Sequence, residues 1–539
     1  MKVMINSQSI QKVIVFMRIM LVSLVISVPC MGMDNVEGIQ MDQLEFIEKD
    51  GRKLVKIPLK LVLQLLVDRS STIRSGLLDR AITESNLVSA QESRQPELTT
   101  SVSSSQSNYI SDSDLNEDDA TSPYLTYYET DSQTLSSSVT KTDFNGIRYS
   151  MTLRNTTSQS TLYSIEDEGS ESEDLGTTDD PVNSTSVTFG VEVPIFQDWG
   201  EVNEIEIHKQ QIQAELSNIT LKSTRLQLIE QAAKQYWEIV GLWQNKASLT
   251  KAVEVAESLL EENQEKVELG LMTPVDAKES RIQLLRNRQR WLANNKQILQ
   301  AEDNLKVLLD LEAFPYGFYP GDGPCVKEVM QSDQVLLEKF YENSLDLSAI
   351  KKSQESNQWD IKQAQNKEKT DLDLSISYTL AGGGKSVASS TSGLGDQNLS
   401  GYDVALTWRV PLFDRQAEEE LNRRRLEREK LQIQLNDEKA SLKTDLKTIH
   451  RDLSYHRENI LSKQAQYDLS VEVLDEEIKK LHLGRGRVYN VSEAQQNMIE
   501  AMESLIDATI DYEVTYLSLL IKTGEVYKAY QLDREPTNP

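Results

Sequence analysis

Few residues of this chain are of types that do chemistry, and their spacing fits none that an enzyme needs. Of 539 residues, two are cysteines, Cys30 and Cys325, and four are histidines. Two cysteines make no disulfide framework and no thiolate metal site, and the histidines lack the spacing of a zinc or iron centre. His208 and His482 fall on a helical pattern or at its end and read as surface residues. No glycine-rich phosphate loop stands between a strand and a helix, and no nucleophile motif is present. The sequence therefore predicts no catalytic residue, no metal and no cofactor, and a protein that is not an enzyme. Charge is what remains. Asp and Glu number 85 against 57 Lys and Arg, a formal net charge of -28. That balance argues against a nucleic-acid partner, because a phosphate backbone needs a basic surface. A basic run such as Arg423-Arg424-Arg425 is mixed with Glu418, Glu419, Glu420 and Glu427 and reads as a solvated helix face.

With no chemistry to position, the elements themselves become the informative part. Hydrophobic residues make up 38% and aromatics 6%, low for a chain built around ordinary cores and better explained by long helices with narrow apolar seams. Lys2, Lys12 and Arg18 surround an apolar run from Ile19 to Val28, followed by Pro29-Cys30-Met31-Gly32, which predicts a secretory signal peptide over 1–32. The run is too short to span a bilayer as a helix. A lipidated Cys30 is the alternative, with Ser27-Val28-Pro29 a poor match to a lipobox.

Nothing after Gly32 is apolar for long enough to form a membrane-spanning helix, so a membrane form of this exported chain would have to use strands. Four segments fit. Leu372 to Leu380, Tyr402 to Val410 and Val187 to Val193 alternate apolar with polar residues, and Leu98 to Tyr109 does so more weakly. Each is about 10 residues, the length of a tilted strand across a bilayer. The same alternation also arises in a half-buried sheet on a soluble core; the signal peptide, and the lack of a core for such a sheet to cover, favour the membrane. Within the long polar insert 110–185, which carries an acidic tract from Glu166 to Asp180, Ile147, Tyr149, Met151 and Leu153 alternate as well and predict an extra hairpin, which either extends a barrel strand or decorates a surface loop. Tyr402 and Trp408 suit aromatic belts at the bilayer interfaces, with Trp199 just past a strand end.

The rest is helical. Ile205, Ile212, Ile219, Leu226, Ala233, Val240 and Ala247 recur every seven residues, as do Leu446, Leu453, Ile460, Tyr467, Leu474 and Leu481, which is a coiled-coil seam. Helices from about Gly200 to Leu269 and Asp414 to Leu483 are each roughly 100 Å long. After Gly270 and Gly484 the helical period resumes, Val275 to about Leu311 and Val488 to about Ile521, so each unit is a helical hairpin. Shorter helices over Leu59 to Arg94 and Asp333 to Lys369 precede the first strand of each half. The chain thus reads as one unit given twice, 59–313 and 333–527, with an N-terminal segment 33–58, a linker 314–332 and a tail 528–539. Each copy turns from strand to helix at a Val-Pro-hydrophobic-Phe corner, with Pro194 and Phe196 in the first and Pro411 and Phe413 in the second. Proline cannot donate to a ladder and holds the preceding valine extended, so it ends the strand. The copies stay in register except that the first has Gln197-Asp198-Trp199-Gly200 where the second has only Asp414.

This order, with Gln95-Pro96-Glu97-Leu98 at the first helix-to-strand junction, Val193-Pro194-Ile195-Phe196 and Val410-Pro411-Leu412-Phe413 at the corners, and Val267-Glu268-Leu269-Gly270 and Leu481-His482-Leu483-Gly484 at the tips, resembles the TolC-like outer membrane efflux protein family. The resemblance implies a mainly α fold with a trimeric outer-membrane β-barrel, four strands per chain, continued into the periplasm by an α-helical coiled-coil barrel. It implies an outer membrane channel that exports substrates for a tripartite efflux pump or type I secretion system. Its partners would be two further copies, outer-membrane lipid, a periplasmic adaptor and an inner-membrane transporter. In that family the periplasmic tip is the gate, ringed by carboxylates just after the second tip. The matching offsets hold Asn490 and Glu493, and the same offsets from Gly270 hold Asp276 and Glu279; the amide at 490 departs from the pattern and counts against a strongly cation-selective constriction. Acids there are also ordinary first-turn residues favoured by the helix dipole. Gly270, Thr273, Pro274, Gly484, Gly486 and Arg487 would form the adaptor-docking tips. An exported coiled-coil scaffold outside any membrane would explain the heptads but not the strands, the paired prolines or their repetition. The cargo is not written in the sequence.

Overall fold

The computed structural model describes residues 45–49, 51–111, 125–165, 177–326, 332–394, 399–410, 412, 415–483 and 485–532. The signal segment with Cys30, most of the acidic tract, Pro411, Phe413 and Gly484 lie outside them. The first half of the chain runs β1 (Glu45–Lys49), β2 (Arg52–Ile57), α1 (Leu59–Arg69), α2 (Ser71–Glu92), β3 (Glu97–Ser111), β4 (Leu125–Thr142), β5 (Arg148–Ile165), β6 (Thr177–Thr178), β7 (Val182–Pro194), α3 (Ile205–Glu268) and α4 (Pro274–Leu308). The second runs β8 (Gly317–Pro320), α5 (Asp333–Asn343), α6 (Leu345–Lys367), β9 (Asp371–Gly384), α7 (Val387–Ser392), β10 (Ser400–Arg409), α8 (Arg415–His482), α9 (Val488–Lys522) and α10 (Val526–Tyr530).

The seven-residue repeat becomes α3, 64 residues, and α8, 68 residues, each about 100 Å long at the α-helical rise. Ile205, Ile212, Ile229, Ala233, Tyr236 and Val240 of α3 are buried, as are Leu446, Leu453, Leu474 and Leu481 of α8. Gly270 ends the first long helix with φ +72°, the left-handed geometry that glycine adopts without strain. The amide of Leu271 then donates to Lys266 O at 2.8 Å. In the upper half of the shaft four helices stand side by side in the order α2-α3-α6-α8; lower down the order is α4-α3-α9-α8.

The two shorter helices differ from expectation. Each is broken once, at Ser70 (φ -52°, ψ 122°) and at Ser344 (φ -67°, ψ 115°). Serine competes for backbone donors and favours such junctions: the Ser344 hydroxyl accepts from Leu347 N at 3.1 Å, and the amide of Ser71 is taken by Asp310.

A second sheet was not foreseen. β1 and β2 form a hairpin, and β8, from the stretch read as a linker, adds to β2 in parallel. Leu54, Val55 and Ile57 pack with Leu63 and Leu66 of α1 against Tyr236, Trp237 and Trp243 of α3. The Tyr236 hydroxyl donates to Ile57 O at 3.2 Å and accepts from Asp322 N at 3.1 Å; burial pushes its phenol pKa far up. Beside it Arg52 meets the buried Glu302 at 2.8 Å. Burial raises the Glu302 carboxyl above its ordinary range, against the opposing pull of Arg52. This belt clasps the shaft part-way down α3.

The main sheet is antiparallel throughout, in the order β10-β9-β7-β5-β4-β3, with β6 attached to β5. Strands stand at all four expected places. The extra hairpin, β4 with β5, lies inside the same sheet between β3 and β7, so the sheet has six long strands where four were expected per chain.

Candidate functional site

Two places could carry a transport function, the sheet and the helical tips. The register of the sheet sorts its residues into two faces. Leu98, Val139, Met151, Phe189, Tyr378 and Tyr402 form one row across all six strands. One residue along, on the opposite face, Thr99, Ser138, Thr152, Thr188, Thr379 and Gly401 form the next. From the strand-to-helix corner out to Leu380 the first face is apolar and uncovered, with Tyr402 83% and Trp408 70% exposed; farther out it turns polar, and Ser390 of α7 packs on it against Thr185 at 2.7 Å. The second is a lattice of hydroxyls, paired as Ser138–Thr152 at 3.0 Å, Thr134–Thr156 at 3.1 Å and Thr188–Thr379 at 3.0 Å. A wall with one bare apolar face and one polar face is what a membrane barrel needs; a soluble sheet shows the same alternation but packs its apolar face on a core. The outermost strands β3 and β10 have no partner strand among the described residues, leaving two open edges that lipid cannot satisfy.

At the first corner Pro194 is buried and ends β7, and Ile195 N donates to Leu372 O at 2.8 Å. Phe196 is exposed, as is Trp199. The chain then turns through Asp198 (φ 60°) and Gly200 (φ 80°). Asn203 donates to Asp198 O at 2.7 Å, and Asn366 of α6 to the Asp198 carboxylate at 2.7 Å.

At the tips the residues singled out from sequence divide. Thr273 and Asp276 form a capping box, Thr273 Oγ1 donating to Asp276 Oδ2 at 2.6 Å and the Thr273 amide at 3.1 Å, with Pro274 at the first helical position. Asp276 is thus held by its own helix start. Glu279 and Glu493 are exposed, and Asn490 lies 3.5 Å from Glu477. Arg487 occupies the N-cap position of α9 with no side-chain hydrogen bond to the helix start, while Gly486 packs so close to Leu481 that a Cβ would meet its backbone N at 2.8 Å.

Sequence reasoning missed the contacts that join the two hairpins. His482, read as a surface residue, sits at 2.8 Å from Glu262 of α3, which also meets Lys266 at 2.6 Å. Burial opposes ionisation of Glu262, yet the hydrogen bonds from Lys266 and His482 outweigh it and hold the carboxyl below its ordinary range. Above this clasp polar contacts run alongside the apolar Leu249, Ala252 and Ile499. Asn287 donates to Gln495 at 3.2 Å, Gln495 to Ala252 O at 2.8 Å, Ser492 to Gln283 at 2.5 Å and Asn263 to Ser280 at 2.8 Å. The visible signal was amides recurring in α4 where an apolar seam would carry Leu.

Among the described residues no group of three or more His, Cys, Asp or Glu could hold a metal ion, and no helix is long and apolar enough to cross a membrane. No curated protein matches the chain. Residues 148–310 match the outer membrane efflux protein family, the match beginning at the first residue of β5. Among solved structures, the outer membrane protein VceC from Vibrio cholerae is 13% identical, covering 88% of this chain and 95% of its own at a TM-score of 0.59. The Campylobacter jejuni CmeC outer membrane channel is 14% identical over 89% of each chain, TM-score 0.61. A membrane protein from Pseudomonas aeruginosa is 15% identical over 86% of this chain and 93% of that one, TM-score 0.61. In sequence across residues 148–310, and in fold along most of its length, the chain is a likeness of the TolC-like outer membrane efflux proteins.

Proposed function

We propose that the chain is an outer-membrane exit duct: a passive, water-filled homotrimer that a periplasmic adaptor and an inner-membrane transporter engage at its helical tips. The observation that carries this reading is the two-faced sheet with open edges, standing on helices about 100 Å long. A single chain cannot close such a wall. Its two lateral edges are complementary in kind along the whole molecule. One edge carries β3 above α2 and, lower down, α4; the other carries β10 above α8. Uncovered apolar side chains follow both: Leu78 and Ile82 of α2 with Leu285, Leu292 and Leu299 of α4 on one, Leu426, Ile433, Leu461 and Leu469 of α8 on the other. Joining unlike edges is a heterologous contact, which forms a ring where the rotation from copy to copy closes; three copies is the number that the family resemblance implies.

In this reading Gly270, Thr273, Pro274, Gly484, Gly486 and Arg487 form the docking end, and the exposed Glu279 and Glu493, repeated around the axis, place like charges at the mouth. The test is biochemical. The exported chain should sediment with outer membrane, run as a trimer in detergent and conduct ions in planar bilayers. A soluble monomer released by osmotic shock, electrically silent in lipid, refutes the duct.

A further inference from the structure

The hairpin of β4 and β5 has a place in the fold that an ornament on a loop would not have. Its inner turn is built into the junction between sheet and shaft. Asp143 Oδ1 accepts from Asn145 N at 2.9 Å and Ile147 N at 2.8 Å. Arg94, at the end of α2, donates to Asp143 O at 3.0 Å and lies over the Phe144 ring at 5.0 Å. On the other side Gly200 N donates to Asn145 O at 3.1 Å. Gly146, at φ +90°, packs so tightly on the Asp198 carbonyl that no Cβ would fit. The seat for this turn is Asp198 to Gly200, within Gln197-Asp198-Trp199-Gly200, the stretch that stands where the second copy has only Asp414 and makes the first copy three residues longer. The length difference and the extra hairpin are therefore one feature.

Both strands also keep the two faces of the wall. Leu135, Val139, Met151 and Leu153 are exposed on the apolar face. On that face Thr100 and Ser137 satisfy each other at 3.1 Å. Ser136, Ser138, Ser150 and Thr152 lie on the hydroxyl face. Six strands at ~4.8 Å spacing and ~40° tilt take up roughly 38 Å of perimeter. Four helices side by side take up roughly 32–40 Å, a range that includes the perimeter of six strands, so wall and shaft can meet without a step.

We infer that β4 and β5 are barrel-wall strands, that β3 of one copy pairs with β10 of the next, and that the trimer closes eighteen strands. The inference rests on the duct reading and deepens it. Barrel diameter grows roughly in proportion to strand number, so the outer mouth is about 1.5 times as wide as twelve strands would make it. The limit on cargo size then falls to the periplasmic tip and not to the membrane wall.

Two measurements on the full chain, made in a Cys325→Ser background, test it. Single cysteines at Leu135, Val139, Met151 and Leu153, and at Ser136, Ser138, Ser150 and Thr152, are exposed to a membrane-impermeant thiol reagent in outer-membrane vesicles. The second set should label and the first should not. Equal labelling of both sets while Val191→Cys and Ile376→Cys stay shielded overturns the inference and leaves the duct standing; labelling of those two as well sinks both. In the second measurement residues 112–181 are replaced by a short Gly-Ser linker, which lets β3 pair directly with β7 in unchanged face parity. End-on projections of the purified trimer should show a barrel narrower by about one third than the parent. An unchanged diameter overturns the inference.

Discussion

Exchanging Ile376 for arginine tests the membrane wall at its centre. On β9 the apolar face is Leu372, Leu374, Ile376, Tyr378 and Leu380, and Ile376 is flanked in its row by Val191 and Val404. Five alternate positions cover about 26 Å of strand, or about 20 Å of height at a ~40° tilt. Ile376 therefore lies about 10 Å from either rim, near the bilayer midplane. A charge at that depth on the lipid face costs about 2–4 kcal/mol, so three copies impose roughly 6–12 kcal/mol on the trimer. Ser377, one residue on, faces the hydroxyl-lined side. Ser377→Arg should cost little, since lumen positions of a barrel are wet. The assay is urea unfolding of the trimer assembled in lipid vesicles, with yield of heat-sensitive trimer as a second readout. Ile376→Arg should shift the midpoint strongly and Ser377→Arg hardly at all. If the two variants behave alike, the assignment of faces is wrong and with it the argument for a membrane wall.

Gly146→Val should destabilise the chain by about 1–3 kcal/mol through backbone strain and more through the clash with Asp198. Gly51→Val has a similar positive φ, +69°, but nothing within 4 Å, so it should show the strain alone; equal thermal shifts would refute the close-packed junction. Arg52→Met leaves Glu302, 1% exposed, without its partner and should cost about 3–5 kcal/mol near pH 7. Because burial raises this carboxyl, its favourable contribution is present below the ordinary glutamate range and lost as pH rises, so melting curves of the variant should recover toward the parent in mild acid. The clasp at the tips works in the opposite sense. Glu262 is held low, so its contribution is present above the ordinary carboxylate range and lost as pH falls through and below it. Spin labels at Leu269 and Leu483 should report separation of the hairpins in acid, and His482→Ala should mimic it at neutral pH; unchanged distances in both would refute the clasp.

Much of this architecture was readable before any coordinates. Two heptad runs, each ended by a glycine, predicted two hairpins to within a few residues, because a helix with one apolar stripe reports its own period. Strand alternation placed β7, β9 and β10 for the same reason. The small sheet was missed although Asp50-Gly51 between two mixed segments is a hairpin signal, because six-residue strands carry little periodicity and β8 joins them from about 260 residues away. The hairpin β4–β5 was half seen: Tyr149, Met151 and Leu153 alternate, but β4 is mostly Ser and Thr on both faces, so its sequence has almost no apolar period to read.

The tip residues mark the boundary between the two kinds of information. Sequence offered Asp276, Glu279, Asn490 and Glu493 as equivalent positions, but the fold ties Asp276 into its own helix cap and leaves Glu279 and Glu493 exposed. The pairing of His482 with Glu262, 220 residues apart, exists only because two hairpins lie side by side. Local periodicity determined the two long helical hairpins and the strands β7, β9 and β10, since those follow from hydrophobic period and backbone limits within one segment. Which strands share a sheet, which carboxylate meets which cation, and where the extra hairpin sits were decided by packing between distant segments, whose energies no single stretch of sequence contains.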